Sequence, residues 1–147
     1  MPKIFIFRLE NVLKFRRIQE NEKKSALALV QAEIARQIIR INELNNQESM
    51  AKDDLKEMRK GHIDLTQMRL QESYMLGIAR KIAQENLQLI KLRQVEVEKR
   101  NEFIEARKKV RLLEKLKEKK LDEYKYQTNV EEMKFMDEVA TYQRNVS

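Results

Sequence analysis

Three pairs of adjacent carboxylates and a single histidine are the residues whose types could carry out chemistry in this chain. The carboxylate pairs are Asp53–Asp54, Glu131–Glu132 and Asp137–Glu138. Two carboxylates work as general acid and base only when they face the same cleft, whereas adjacent residues of a helix point about 100° apart. We therefore interpret all three pairs as solvated helix faces. His62 cannot form a multi-histidine metal site alone, and we expect it on an exposed turn rather than in a proton shuttle.

The elements that would position these residues are long helices. Gly61 and Gly77 are the only glycines and Pro2 is the only proline, so no glycine-rich phosphate loop is present. Globular domains use several times more Gly and Pro in their turns. Charged residues make up 37% of the chain and aromatic residues 6%. This composition predicts long solvated helices. Because the sequence has no catalytic or ligand-binding arrangement, we expect a protein that is not an enzyme and binds no metal or cofactor.

Apolar residues repeat every 3.5 residues on both sides of Gly61. From Leu27 to Met58, eight of the ten positions at this spacing are apolar, and from Met68 to Leu113 ten of the fourteen are. An apolar content of 41% would give about 10 of the 24 by chance. A sustained 3.5-residue period keeps one stripe facing a partner helix and is typical of a coiled coil. Glu96 and Lys99 interrupt the second stripe, and we expect looser pairing there.

Gly61 follows the end of the first stripe, where helices commonly close with a residue in the left-handed conformation. Asp64 or Thr66 can cap the next helix. A short connection places successive helices antiparallel. We predict an all-α fold, a long antiparallel two-helix coiled-coil hairpin. It would form one domain over residues 1–147, with helix 1 over about 9–58, the turn over 59–65 and helix 2 over about 66–142.

The second helix is predicted to be longer than the first. With the turn centred near Ile63, Leu13 is expected opposite Leu113, and residues beyond about Lys117 are expected to have no partner in the chain. Apolar residues continue in this overhang at Met133, Phe135, Met136 and Val139, with a change of phase. We expect this end to find a partner elsewhere.

Charge separates along the second helix. The segment 107–120 has eight basic and two acidic residues, whereas the residues after Lys120 include six acidic and three basic ones. We interpret the basic run as a solvated flank of the coiled coil. An acidic protein partner is an alternative, and nucleic acid is a weaker one because the run has no interleaved aromatic residues and no base-reading module.

No segment is predicted to span a membrane. The longest apolar run is Ala26–Val30, far short of the roughly 20 residues that a bilayer requires. The opening run Ile4–Phe7 is too short for the apolar core of a signal peptide. The chain has no cysteine, which suits a reducing compartment. We expect a soluble cytoplasmic protein.

Three parts of the sequence together resemble one family. They are "FRLENVLKFRRIQENEKK" from Phe7, "GHIDLTQMRLQESYMLGIARKI" from Gly61 and "LEKLKEKKLDEYKYQTNVEEMKFMDEVA" from Leu113. Their order and spacing resemble the bacterial flagellar export protein FliJ family over nearly the whole chain. Nothing in the pattern itself separates flagellar members from their counterparts in virulence secretion systems.

The resemblance implies a stalk-like accessory of the flagellar type III export apparatus, similar to the central stalk of rotary ATPases. Its implied partners are the hexameric flagellar export ATPase, the cytoplasmic domain of the export gate membrane protein, and export chaperones. The implied location is cytoplasmic, peripherally associated with the inner face of the cell membrane at the flagellar base. We expect a monomer in isolation and no nucleic-acid partner.

Two sets of candidate partner-binding residues follow. The resemblance places Tyr74 and Ile78 on the surface that faces the export gate, although Ile78 is also a stripe residue, and packing between the helices is its favoured role. For the ATPase ring we predict residues near both termini, namely Phe7, Leu9, Val12, Met133, Phe135 and Met136. The alternative functions are a nucleic-acid-binding coiled-coil arm and a homodimeric structural scaffold.

Overall fold

Two long helices make up the fold. The computed structural model describes residues 4–146, in which α1 covers Glu10–Met58 and α2 covers Leu65–Val146. Helix accounts for 92% of these residues, and none of them is in a strand. The two helices pack against each other, which confirms the predicted all-α hairpin. Residues 1–3 and 147 of the predicted 1–147 domain lie outside the described part.

The contacts divide the chain into two units. Unit 1 combines the chain up to Glu22 with the chain from Ile104 onward, and unit 2 is Lys23–Phe103. Each unit contains part of α1 and part of α2, so each has its own packing between helices.

The connection between the helices lies in unit 2 and follows the predicted turn chemistry. Gly61 has φ of 85°, a left-handed conformation that glycine adopts without steric cost. The carboxylate of Asp64 accepts hydrogen bonds from the backbone amides of Thr66 at 3.0 Å and Gln67 at 3.3 Å. Asp64 rather than Thr66 is therefore the N-terminal cap of α2, because it satisfies two amides that have no partner within the helix.

Burial follows the predicted stripe. Between Leu27 and Met58, the ten stripe positions are the residues that are buried or half-buried, and every other residue is exposed. Between Met68 and Leu113, all fourteen stripe positions are buried or half-buried, and Gly77 is the one addition. The 3.5-residue period therefore predicted the packing face of both helices.

Gln37 and Gln71, two of the polar residues within the stripe, make hydrogen bonds between the helices in unit 2. Gln37 is 3% exposed, and its side-chain amide donates to the carboxylate of Glu85 and, at 3.0 Å, to the backbone carbonyl of the same residue. Gln71 donates to the carbonyl of Ala51 at 3.0 Å. These bonds offset the cost of burying polar groups in the interface.

The two charged residues that interrupt the stripe, Glu96 and Lys99, also have partners of opposite charge. Glu96 accepts a hydrogen bond from Arg100 at 2.9 Å. Lys99 lies 3.6 Å from Glu102, and the same carboxylate lies 3.5 Å from Lys23 on the other helix. Ion pairs therefore accompany the two charged positions of the stripe.

The core of unit 1 joins both helices to the segment that precedes α1. Phe7, Leu13 and Val110 form its buried centre. Partly buried apolar residues pack around them, namely Phe5, Leu9, Leu113 and Leu116. Leu13 and Leu113 thus belong to one cluster, as the predicted register required.

Candidate interaction surfaces

The segment before α1 belongs to no helix or strand, ends in a turn at Arg8 and Leu9, and lies against α2 within unit 1. Its side chains alternate, so that Ile4 and Ile6 are each 82% exposed whereas Phe5 and Phe7 point inward. The ring of Phe5 packs against Tyr124, with ring centroids 5.6 Å apart. An open groove of about 730 Å³ borders this contact, lined on the α2 side by Leu116, Lys120, Glu123, Tyr124 and Gln127.

The expectation that residues beyond about Lys117 have no partner in the chain is therefore wrong for the first part of the overhang. The residues from Ile4 to Leu9 share their groove with α2 residues between Leu116 and Gln127. Ile4–Phe7 is a short uninterrupted apolar run without alternation of apolar and polar residues, so no periodicity predicted this arrangement.

An ion pair reinforces the same region. The ammonium of Lys117 lies 2.8 Å from the carboxylate of Glu10 at the start of α1. Its hydrogen bond lowers the pKa of Glu10, with a further contribution from the charges of Lys117, Lys14 and Arg17. A second cross-helix pair joins Arg17 and Glu114 at 3.4 Å.

The last part of α2 exposes its side chains on all faces. Every residue from Glu131 to Val146 is exposed, including the three residues predicted for the ATPase ring, Met133, Phe135 and Met136. A concentration of large exposed apolar side chains at one end of a helix is typical of an interaction site. This end of α2 is the first candidate surface.

The predicted ring residues near the N-terminus have different environments. Phe7 is 8% exposed and belongs to the core of unit 1, so its assignment to a partner surface is corrected to a role in packing. Leu9 is half-buried against the same core, and Val12 is exposed on α1. Phe7 was misassigned because the sequence did not show that the segment before α1 folds onto α2.

The two residues predicted for the export gate also differ in exposure. Tyr74 is 53% exposed, whereas Ile78 is 3% exposed and lies in the packing face of unit 2. This burial favours the packing role already expected for Ile78. Gly77 lies between them in sequence, and a side-chain carbon added there would meet no other atom within 4 Å. Tyr74 and the open surface at Gly77 form the second candidate surface.

The residues considered for chemistry are dispersed. His62 lies in the exposed turn, as predicted. Within residues 4–146, no group of three or more His, Cys, Asp or Glu residues could hold a metal ion. The same part of the chain contains no helix that is both long and apolar enough to cross a membrane.

The fold and these surfaces define the class of protein: an all-α coiled-coil hairpin that presents apolar side chains at its surface. The flagellar FliJ protein family matches residues 5–147 of the sequence, and the chain belongs to this family. It is therefore associated with flagellar export, and the family is a non-catalytic component of that apparatus. No curated protein and no solved structure gave a significant match.

Proposed function

We propose that the chain is a stalk-like accessory of flagellar type III export that inserts the end of α2 into the hexameric export ATPase ring. In this role it assists assembly of the ring and links the ring to the export gate and to export chaperones. It acts in the cytoplasm, peripherally associated with the membrane at the flagellar base. The observation that carries this proposal is the exposed apolar end of α2, residues 131–146.

The energetics of a single helix support a partner at this end. Elsewhere each helix buries its apolar stripe, but the residues from Glu131 onward bury none of theirs. A helix without tertiary packing is only marginally stable in water because nucleation is costly and most helical stability comes from burying an apolar face. A binding partner that covers this end would stabilise it.

The exposed residue Tyr74 supports a separate contact with the export gate. It lies outside the packing stripe, and large aromatic side chains are common anchors of protein interfaces. Ile78 is not part of this proposal because its side chain is buried in unit 2. Tyr74→Asp should weaken binding to the gate's cytoplasmic domain while leaving binding to the ATPase unchanged.

The two alternative functions have less support. In the basic run 107–120, Lys108, Lys117 and Lys120 already lie within ion-pair distance of carboxylates at Glu105, Glu10 and Glu123. These pairs reduce the charge available to phosphates. Sedimentation equilibrium tests the homodimeric scaffold, and a salt titration against RNA tests the nucleic-acid arm.

The test of the main proposal is co-purification with the flagellar export ATPase of the same organism. The full chain should bind the ATPase, and a variant that ends at Val130 should not. The truncation should leave the melting temperature of the rest nearly unchanged, because no described residue after Val130 is buried. Equal binding by both chains would contradict the proposal.

A further inference from the structure

The face of α2 that packs in unit 1 continues along the helix, in the same direction around its axis, beyond the last half-buried residue. Its buried or half-buried positions recur every 11 residues: Leu113 is followed by Tyr124, and Lys117 by Thr128. Eleven residues make three turns of an α-helix to within about 20°, so such positions face one direction. The next members of the two series are Phe135 and Val146 in the first, and Val139 in the second.

These residues define a face that we call the terminal face: Phe135, Val139, Tyr142 and Val146. Their spacing of 4, 3 and 4 residues places all four within about 60° of one another around α2. All four are exposed, with Phe135 at 64% and Tyr142 at 69%. Because the face is continuous with the surface that packs in the core of unit 1, its geometry already suits a packed neighbour.

Met133 and Met136, which were predicted for the ATPase ring together with Phe135, point elsewhere, so the phase of the packing face leaves only Phe135 of the three in the contact. They lie about 160° and 100° from Phe135 around the helix axis. Their exposure, 68% and 66%, is nearly the same as that of Phe135 and Tyr142. Exposure alone therefore does not distinguish the two sets, whereas the phase of the packing face does.

Acidic residues flank the terminal face. Glu132 and Glu138 lie about 60° to either side of Phe135 and Glu131 lies about 40° from it, whereas the basic residues Lys134 and Arg144 lie about 100° and 180° away. Residues in flanking positions of this kind set the choice of partner in helix pairs. A second copy of this chain would bring two acidic flanks together, but a helix with basic flanks would complement them.

We infer that the terminal face binds an amphipathic helix of a partner protein with basic residues on both sides of its apolar stripe. The spacing i, i+4, i+7 and i+11 is the pattern with which one helix anchors against another. The inference rests on the proposed function, because this is the end of α2 proposed to enter the ATPase ring. It adds that the terminal face is the part of α2 that is covered, and that an amphipathic helix covers it.

The test compares two paired variants against the purified export ATPase of the same organism. Phe135→Asp with Tyr142→Asp should weaken binding at least about tenfold, because it places charge in an apolar interface. Met133→Asp with Met136→Asp adds the same charge at equal exposure and should change binding by less than about threefold. Melting curves should be the same for both, since none of the four side chains is buried.

A charge reversal tests the partner's chemistry. Glu138→Lys should weaken binding several-fold because Glu138 flanks the face, whereas Asp137→Lys, with the same change in net charge, points about 160° from the face and should have little effect. A photo-crosslinker at position 139 should then attach to a helical segment of the ATPase that contains Lys or Arg.

The possible results distinguish a failure of this inference from a failure of the proposed function. If the unmodified chain does not bind the ATPase, both are overturned. If it binds and the methionine pair weakens binding as much as the Phe135 and Tyr142 pair, only the inference is overturned. Crosslinks from position 139 to another copy of this chain alone, or to a segment without basic residues, would also overturn the inference.

Discussion

The rings of Phe5 and Tyr124 pack with their centroids 5.6 Å apart and their planes tilted by 49°. This contact joins the segment before α1 to α2 at Tyr124, beyond Lys117, which pairs with Glu10 at the start of α1. Tilted aromatic pairs at this separation contribute favourably beyond the burial of their area. The segment before α1 is consequently part of the folded unit.

Removing this contact should lower stability. We expect Phe5→Ala to reduce the free energy of unfolding by about 1–3 kcal/mol, since it removes both an aromatic pair and part of an apolar cluster. Ile4→Ala is the matched control because Ile4 is 82% exposed, and it should change stability by less than about 0.5 kcal/mol. Urea unfolding measures both, and equal effects would show that the segment does not pack against α2 in solution.

The hydrogen bonds between Gln37 and Glu85 should show the cost of an unpaired buried group. Gln37→Ala leaves the half-buried Glu85 carboxylate without its donor and should destabilise the chain by about 1–3 kcal/mol. Replacing both residues by Leu should recover most of this loss, because neither polar group then remains. Thermal unfolding of the two variants tests this, and a double variant less stable than Gln37→Ala would contradict it.

The ion pair of Glu10 with Lys117 predicts a dependence on pH. The pKa of Glu10 in the folded chain is lowered from its ordinary value of 4.5, chiefly by the hydrogen bond from Lys117. A lowered folded-state pKa stabilises the fold above pH 4.5, and this contribution is lost as the pH falls through the lowered pKa. Glu10→Gln should therefore unfold more easily than the unmodified chain at pH 7, and the difference should shrink below pH 4.5.

Urea titrations at several pH values measure that difference. Glu57→Gln is the control, because Glu57 forms an exposed pair with Lys60 in the turn region, and such pairs contribute little to stability. A difference between Glu10→Gln and the unmodified chain that stayed constant into acid would assign the effect to something other than ionisation of Glu10.

The two glycines should respond to alanine in opposite directions. Gly61→Ala should destabilise the chain by about 1–2 kcal/mol because a side chain is strained at φ of 85°. Gly77→Ala should stabilise it by up to about 1 kcal/mol, because Gly77 is helical and no atom obstructs an added methyl group. Melting temperatures of the two variants test this directly. A loss of stability in Gly77→Ala would show that the fold does not accept a side chain at this position.

The packing of α1 and α2 could be predicted because its signal is periodic and long. A repeat sustained from Leu27 to Met58 identified the buried residues, including the polar residue Gln37. The hydrogen-bonding partner of Gln37 could not be predicted in this way, because a period gives the face of a helix but not the contacts of one side chain. The roles of Gly61 and Asp64 could be predicted because the residue preferences of turns and helix caps depend on the local sequence.

The candidate surfaces were harder to predict because they depend on where along each helix the packing against other segments ends. Phe7 and Phe135 are the same residue type near opposite ends of the chain, yet Phe7 is buried and Phe135 is exposed. That difference arises because the segment before α1 packs against α2, which a search for helical periods does not detect. Ile78 and Tyr74 differ for a simpler reason, since only Ile78 lies on the stripe.

The hydrogen bonds from Gln37 to Glu85 also constrain how the length of this protein can change during evolution. An insertion between Gln37 and Gly61 would displace Gln37 from Glu85 unless an insertion of equal size occurred between Gly61 and Glu85. A change that is not a multiple of seven would also rotate the apolar stripe away from its partner helix. Arms of the unit that contains the turn can therefore lengthen or shorten only by whole heptads gained or lost together on both helices.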